Sequence, residues 1–523
     1  MAVIILWPIF SLIWLSLGDS NGLWFHLIDT VLLSYFLNTV TLVIGVAILT
    51  LIFGVPTAWI VTNYNFRFKY FFDLLLILPA SCPAYLVAYA YTDFFEYAGP
   101  FQVYLRDFMG WRYASDYYFP EIRSLWGATF VLASVLYPYV YLLSRTAFLQ
   151  TPSSLTEVAL IYGRNTFWYV SLPLARPAIV AGLALVSMEV VSDFGTVEFF
   201  SLQTLTLAIF NVWIGMNNIT AAAQIAVFTF IFIFALLATE IKSRSRRQFN
   251  DPTSRQRHNR PKDVRGLKAF LLILICFIPV CFGFFIPISI LISNITHSIN
   301  GSTFQTLIPV LFNTLFIAFI GASLISLTAT FLSCSSNVSG SKALQTLSNI
   351  AASGYAFPGT MLAIGVLVTI GYLDRILNLF YSSHTNFFEP FYFSGTIAVL
   401  IFAYLVRFLA VGYGSTLSGL SQTSSNLNWA SRTLGASFSR TIRLITIPLI
   451  KKSIVAGGLL AFVDIMKELP MTLLLRPFDF ETLATFTYQY AHDELMNQAS
   501  LPALIIIIFG LLPVIFLNRV LRL

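Results

Sequence analysis

The 523-residue chain is 57% apolar and only 10% charged, with 30 Lys and Arg against 23 Asp and Glu for a formal net charge of +7. A soluble domain carries about 25% charged residues, so this composition excludes a soluble fold. Apolar runs near the ~20 residues that cross a hydrocarbon core as helix recur along the whole chain.

The expected fold is all-α and polytopic, with about 12 transmembrane helices. In chain order the spans are Met1–Leu17, Leu37–Tyr64, Phe71–Phe94, Leu125–Leu143, Pro177–Thr196, Ala222–Glu240, Leu267–Ser293, Leu307–Leu332, Leu347–Ile370, Gly395–Leu409, Ser453–Leu474 and Ala503–Leu521. The first run is short, with no basic residue ahead of it and no small-residue cleavage site. It reads as a spanning helix whose upstream residues are missing rather than as a signal peptide.

Lys and Arg collect on the cytoplasmic side of loops, which orients the chain. With both termini inside, 24 of the 30 fall on that side, including ten between Lys242 and Lys268 and also Arg407. Arg106, Arg112, Arg123, Arg375 and Arg476 face outward, and Lys467 falls inside a span. The positive charge is thereby a consequence of topology and requires no nucleic-acid partner. Cys82, Cys276, Cys281 and Cys334 show no C-x-x-C spacing, and the five histidines are scattered singly, so no disulfide framework or zinc site is indicated.

A polar, basic stretch from Glu240 to Lys268 breaks the chain near its middle and has linker composition. It divides a first repeat, 1–240, from a second, 267–523, across a cytoplasmic linker, 241–266. One offset of 275 residues aligns Leu37-Asn38-Thr39 with Phe312-Asn313-Thr314, Pro83 with Pro358, Pro173 with Pro448, and Ile179–Gly182 with Ile454–Gly457. Four coincidences at one offset indicate duplication. Six spans per half make the repeat parallel, with a pseudo-two-fold axis along the membrane normal and a substrate path between the halves.

The most informative segments precede the fifth span of each half, within 151–176 and 423–452. Each begins with helix-forming residues ended by a glycine, Gly163 or Gly435, continues helically to Pro173 or Pro448, and re-enters the membrane. An ordinary interfacial helix would account for one such loop. Two matching copies favour a pair of docking points for a moving partner.

The spacing Glu-x-Ala-x3-Gly followed by Leu-Pro or Ile-Pro resembles the EAA loop of ABC importer permeases. Glu157, Ala159 and Gly163 carry it in the first half, Ala430 and Gly435 in the second, where Trp429 replaces the acid; the first copy is three residues shorter between glycine and proline. Further stretches resemble ferric iron permeases with two fused halves: MEVVSDFGTVEFF from Met188, ITAAAQIA from Ile219, YLVRFLAVGYGS from Tyr404 and DIMKELPMTLLLRPFDFETLA from Asp464. The resemblance implies a permease in the inner membrane, with a homodimeric ATP-binding-cassette ATPase docked on the two loops. It also implies a periplasmic substrate-binding protein delivering ferric iron. The chain has no G-x-x-x-x-G-K-[ST] phosphate loop, so ATP belongs to the partner subunit, and no nucleophile–base or metal constellation recurs on the spans, so no enzyme activity and no cofactor are expected on this chain.

Ionisable residues inside spans are costly and mark function by default. Glu189 and Asp193 stand four apart on one face of the fifth span, and the 275 offset maps them onto Asp464 and Glu468, with Lys467 placed to neutralise one of the second pair. These carboxylates either line a path for a hard cation or make interhelical bonds. The 50 Phe read as lipid-facing and packing residues, and the outer stretch from Tyr113 to Phe119 is where a binding protein would meet the chain. Two other readings stay open. One is cargo such as thiamine or another small solute; the other is a gradient-driven secondary transporter, which would have no use for paired EAA-like loops.

Overall fold

The computed structural model describes residues 1–245, 261–296, 301–339, 341–384, 392–421, 423, 427, 430, 431 and 433–522. The central part of the basic linker, 246–260, lies outside them, as do Trp429 and several of its neighbours in the second loop. The described residues are all-α but for one short pairing, Tyr64–Asn65 beside Lys262–Asp263 in parallel. There the Asn65 amide donates to Asp263 Oδ1 at 2.6 Å, tying the end of the linker to the segment after the Leu32–Asn63 helix.

Twelve straight spans were expected; among the described residues nine helices are long and apolar enough to cross a membrane, or ten with one bent pair counted. Ala2–Ser16 has 15 residues, about 22 Å of helix against a core of about 30 Å. The described apolar part of the sixth run, Ile219–Ala235, is similarly short. The run expected as Phe71–Phe94 is not one helix: Lys69–Ser81 and Ala84–Met109 meet at 88°. The cause is Pro83, whose ring pushes the preceding Cys82 into extended backbone at ψ 118°. Pro358 does the same to Phe357, at ψ 132°. The expected Leu347–Ile370 span therefore separates into an amphipathic Lys342–Ala351 helix and a span starting at Gly359.

Two compact units result, and neither is continuous in sequence. One comprises residues 28–207, 228–298 and 494–523. Its centre is the helices Leu32–Asn63, Leu125–Leu149 and Leu172–Ser192. Late segments pack into it: Tyr91 donates to the Phe282 carbonyl at 2.6 Å, and Asn294 to Asp93 Oδ2 at 2.7 Å. The other comprises residues 1–27, 208–227 and 299–493, centred on Gly301–Ser339, Ile397–Ser421 and Ile447–Met466. Its leading helix, Ala2–Ser16, lies on Gly359–His384, where Thr369 Oγ1 donates to Ser11 at 3.0 Å.

Matching ties recur in the two units. Thr39 Oγ1 accepts from Leu205 N–H at 3.0 Å, and Thr314 Oγ1 accepts from Leu483 N–H at 2.8 Å. The neighbouring Asn38 and Asn313 amides donate to the carbonyls of Gln203 and Glu481.

Candidate functional site: two glycine-capped loops and the charges above them

The first loop is built on the nine-residue helix Ser153–Ile161. It ends in a Schellman cap: Gly163 sits at φ +63°, in the left-handed region, and Arg164 N–H reaches back to the Ala159 carbonyl at 2.8 Å. In the second loop Gly435 stands at φ +85° and Ala436 N–H bonds to the Ser431 carbonyl at 3.1 Å. The cap carbonyls sit four residues before each glycine, so Ser431, one position after Ala430, holds the place of Ala159. Both are 7% exposed. Glu157 is exposed on the helix's outer face, and Tyr162 and Leu434, just before the two glycines, are 77% and 88% exposed. Beside the first helix lies a depression of about 450 Å³, lined by Leu155, Val158, Ala159, Tyr162, Tyr169 and Pro173.

Each loop then passes through one turn of π-helix, Phe167–Ser171 or Ile442–Thr446, into Leu172-Pro173 or Ile447-Pro448. A proline has no N–H and crowds the carbonyl four residues back; the wider π turn leaves that carbonyl room. The three extra residues of the second loop are taken up by the helical turn Phe438–Thr441.

The acids above the loops are arranged differently from the spacing argument. The Leu172–Ser192 helix stops at Ser192, and Asp193 is extended at ψ 130°, so Glu189 and Asp193 do not share a helix face. Asp193 caps the next short helix instead: Oδ1 accepts from Thr196 and Val197 N–H, Oδ2 from the Thr196 hydroxyl. Glu468 does the same in the other unit, accepting from Met471 N–H, Thr472 N–H and the Thr472 hydroxyl at 2.8–3.1 Å. Lys467 follows the end of the Ile447–Met466 helix and pairs with Asp464 at 2.8 Å.

The partner of Glu468 is Arg407, at 2.7 Å, with the two side chains 2% and 12% exposed. Arg407 is not a loop residue. It sits mid-way along Ile397–Ser421, which reduces the cytoplasmic tally of basic residues from 24 to 23. Gly359 makes space for the pair: a Cβ there would collide with Arg407 Nη1 and lie 2.9 Å from Glu468 Oε1. Charge predicts neither this partner nor a second network, in which Asp73 accepts from Tyr141 Oη and Arg145 Nη2, each at 2.6 Å. For Arg407 the available signal was the apolar residues on both sides, Leu405-Val406 and Phe408-Leu409; Arg145, between Ser144 and Thr146, offers no such signal. Among the described residues no three of His, Cys, Asp and Glu converge as a metal site.

Residues 50–247, which include the first glycine-capped loop, match the family described as binding-protein-dependent transport system inner membrane component. Over that stretch the chain is similar to the permeases of this family. Over 501 residues the chain is 25% identical to the Fe(3+)-transport system permease protein FbpB 2 of Haemophilus influenzae, covering 92% of this chain and 89% of that one. It is 22% identical to the ferric transport system permease protein FbpB of Actinobacillus pleuropneumoniae, covering 86% and 65% of the two chains. A shorter stretch, 34% of the chain, is 25% identical to the molybdate/tungstate transport system permease protein WtpB of Methanocaldococcus jannaschii. Permeases of that family are multi-pass inner-membrane components that work with an ATPase and a binding protein and are not themselves catalytic.

Proposed function

We propose that this chain is a permease that carries ferric iron, delivered by a periplasmic binding protein, by alternating access driven by a homodimeric ATPase. The observation that carries the mechanism is the recurrence of one loop design: helix, left-handed glycine, π turn and proline, once before each of two long helices. Glu157, Ala159, Gly163 and Pro173 form one coupling loop of the EAA kind, and Ala430, Gly435 and Pro448 form the other, with Ser431 in Ala159's place. Their exposed apolar residues, Tyr162 and Leu434 foremost, are what an ATPase groove would cover. The recurring Asn and Thr ties support two parallel six-helix repeats, 1–240 and 267–523, joined by a basic cytoplasmic linker with both termini inside.

The cargo reading rests on the iron permeases that align with nearly the whole chain. Glu189, Asp193, Asp464, Lys467 and Glu468 border the path in this reading. Asp193 and Glu468 act there by holding the short helices that follow them, and Asp464 is already neutralised by Lys467.

The test is uptake of radiolabelled ferric iron by cells expressing the permease with its ATPase and binding protein, against a Gly163→Val plus Gly435→Val variant. Among the described residues nothing lies within 4 Å of a Cβ placed on either glycine, so a valine acts chiefly through backbone strain, about 1–2 kcal/mol per site. Loss of uptake and of ATPase copurification, with the variant present in the membrane, supports coupling through both loops. Undiminished uptake in the variant sinks that assignment and favours a gradient-driven carrier. A parent that imports no iron but accumulates thiamine or another solute keeps the importer and changes its cargo.

A further inference from the structure

The two halves hold their loop-bearing helices by ion pairs at different heights. Counting from the glycines, 163 and 435, the helix Leu125–Leu149 corresponds to Ile397–Ser421 with an offset of 272. Tyr141 then corresponds to Tyr413, and both donate a hydroxyl hydrogen bond to the amphipathic helix below: Tyr141 to Asp73 at 2.6 Å, Tyr413 to Asn349 at 3.0 Å. Those acceptors correspond as well, because the caps Leu76 and Ala352, three residues beyond each, bond back to Phe72 and Ser348 in the same manner. The difference is charge. Arg145 pairs with Asp73 beside the first loop, whereas Leu417 stands in its place beside the second. Conversely, Arg407 pairs with Glu468 mid-helix in one unit, whereas the buried Val135 stands in its place in the other.

We propose that Asp73 and Arg145 are positioning residues for the first coupling loop, and that the two loops are thereby mechanically unequal. The first loop follows a helix anchored by a charged pair one turn before its end, Asp73 being 7% and Arg145 22% exposed. The second follows a helix whose charged pair lies at mid-height, with a neutral hydrogen bond about two turns before its end. A push on the first loop is passed to the Lys69–Leu75 helix at once; a push on the second moves the loop end before it meets a fixed point. The inference rests on reading the loops as ATPase-coupling elements.

The second half supplies the test, since Asn349 and Leu417 form a set of residues this architecture already accepts. The permease, its ATPase and its binding protein are reconstituted in proteoliposomes, and ATP hydrolysis is measured with and without loaded binding protein. Asp73→Asn plus Arg145→Leu is expected to keep basal hydrolysis while the stimulated-to-basal ratio falls about fivefold, the lower end of a typical coupling effect. An unchanged ratio in the double variant overturns the proposal, whereas a parent complex with no stimulation overturns the importer reading beneath it. If the double variant does not accumulate in the membrane, Tyr141→Phe takes its place, since it removes one hydroxyl bond to Asp73 and little else. A ratio lowered about twofold then supports the proposal, as loss of one hydrogen bond would, and an unaltered ratio overturns it.

Discussion

Gly359 has no side chain because a guanidinium and a carboxylate meet where one would be. A buried pair is most costly when one partner is left behind, and a methyl group on residue 359 would separate Arg407 from Glu468 without removing either. Gly359→Ala is therefore expected to destabilise the fold by about 3 kcal/mol, read as a lower thermal midpoint of the purified protein in detergent. Ala84 follows Pro83 as Gly359 follows Pro358 but has no arginine to clear, and Ala84→Gly should cost no more than about 1 kcal/mol. Equal effects of the two substitutions would show that the pair tolerates displacement. At this scale the sequence was partly legible. The acids at 189, 193, 464 and 468 stood out because charge is rare in apolar runs, and the Asp464–Lys467 pair follows from their spacing of three. Asp193 and Glu468 do not share a face with Glu189 and Asp464, because the helix assumed to run through each pair ends before the second acid. Both carboxylates begin a new helix, and the threonines at 196 and 472 that complete their caps were the overlooked sign. Arg407 was missed because the run was ended at Leu409, twelve residues short of the helix's actual end at Ser421.

The loops show how three residues become geometry. Each added helical residue advances a helix about 1.5 Å and turns it about 100°, so three residues shift what they carry by about 4.5 Å and leave it about 60° from its starting direction. The second loop spends its three on the turn Phe438–Thr441, between glycine cap and π turn. Three alanines inserted after Thr166 should give the first loop the geometry of the second, whereas one or two alanines would turn its short helix by about 100° or 160°. Iron uptake is expected to survive best with three, to fall further with one and to be lowest with two. A monotonic decline with insertion length would instead mean that loop length, not helical phase, is what the partner senses. Glycine and proline made these loops legible, since each residue type permits or forbids specific backbone. The π turns were not legible, because they arise from the steric demand of Pro173 and Pro448 on carbonyls one turn earlier, which leaves no composition of its own.

At the level of the whole molecule, apolar runs identify helices but not their neighbours. Every span presents much the same aliphatic surface, so the pattern cannot say that Ala2–Ser16 packs with Gly359–His384, or that Met496–Arg522 belongs with residues 28–207. The close approaches that decide it are local and mutual: Gly365 against the Pro8 carbonyl, Gly510 against that of Ser81. Because each compact unit contains first and last helices from the opposite sequence half, neither half has all the helices of a unit. Residues 1–245 expressed alone leave Ala2–Ser16 without the helix it packs on, the centre formed by Leu32–Asn63, Leu125–Leu149 and Leu172–Ser192 without the segment 267–296 that packs on it, and the Ala84–Phe95 helix without Met496–Arg522. Expressed separately, 1–245 and 261–523 are each expected to be degraded. Expressed together they should accumulate and copurify, since the break falls in the linker and both units can then be completed. A first half that accumulates alone, as a protease-resistant membrane protein, would mean that its own spans suffice and that the exchanged helices are added later to a body already folded.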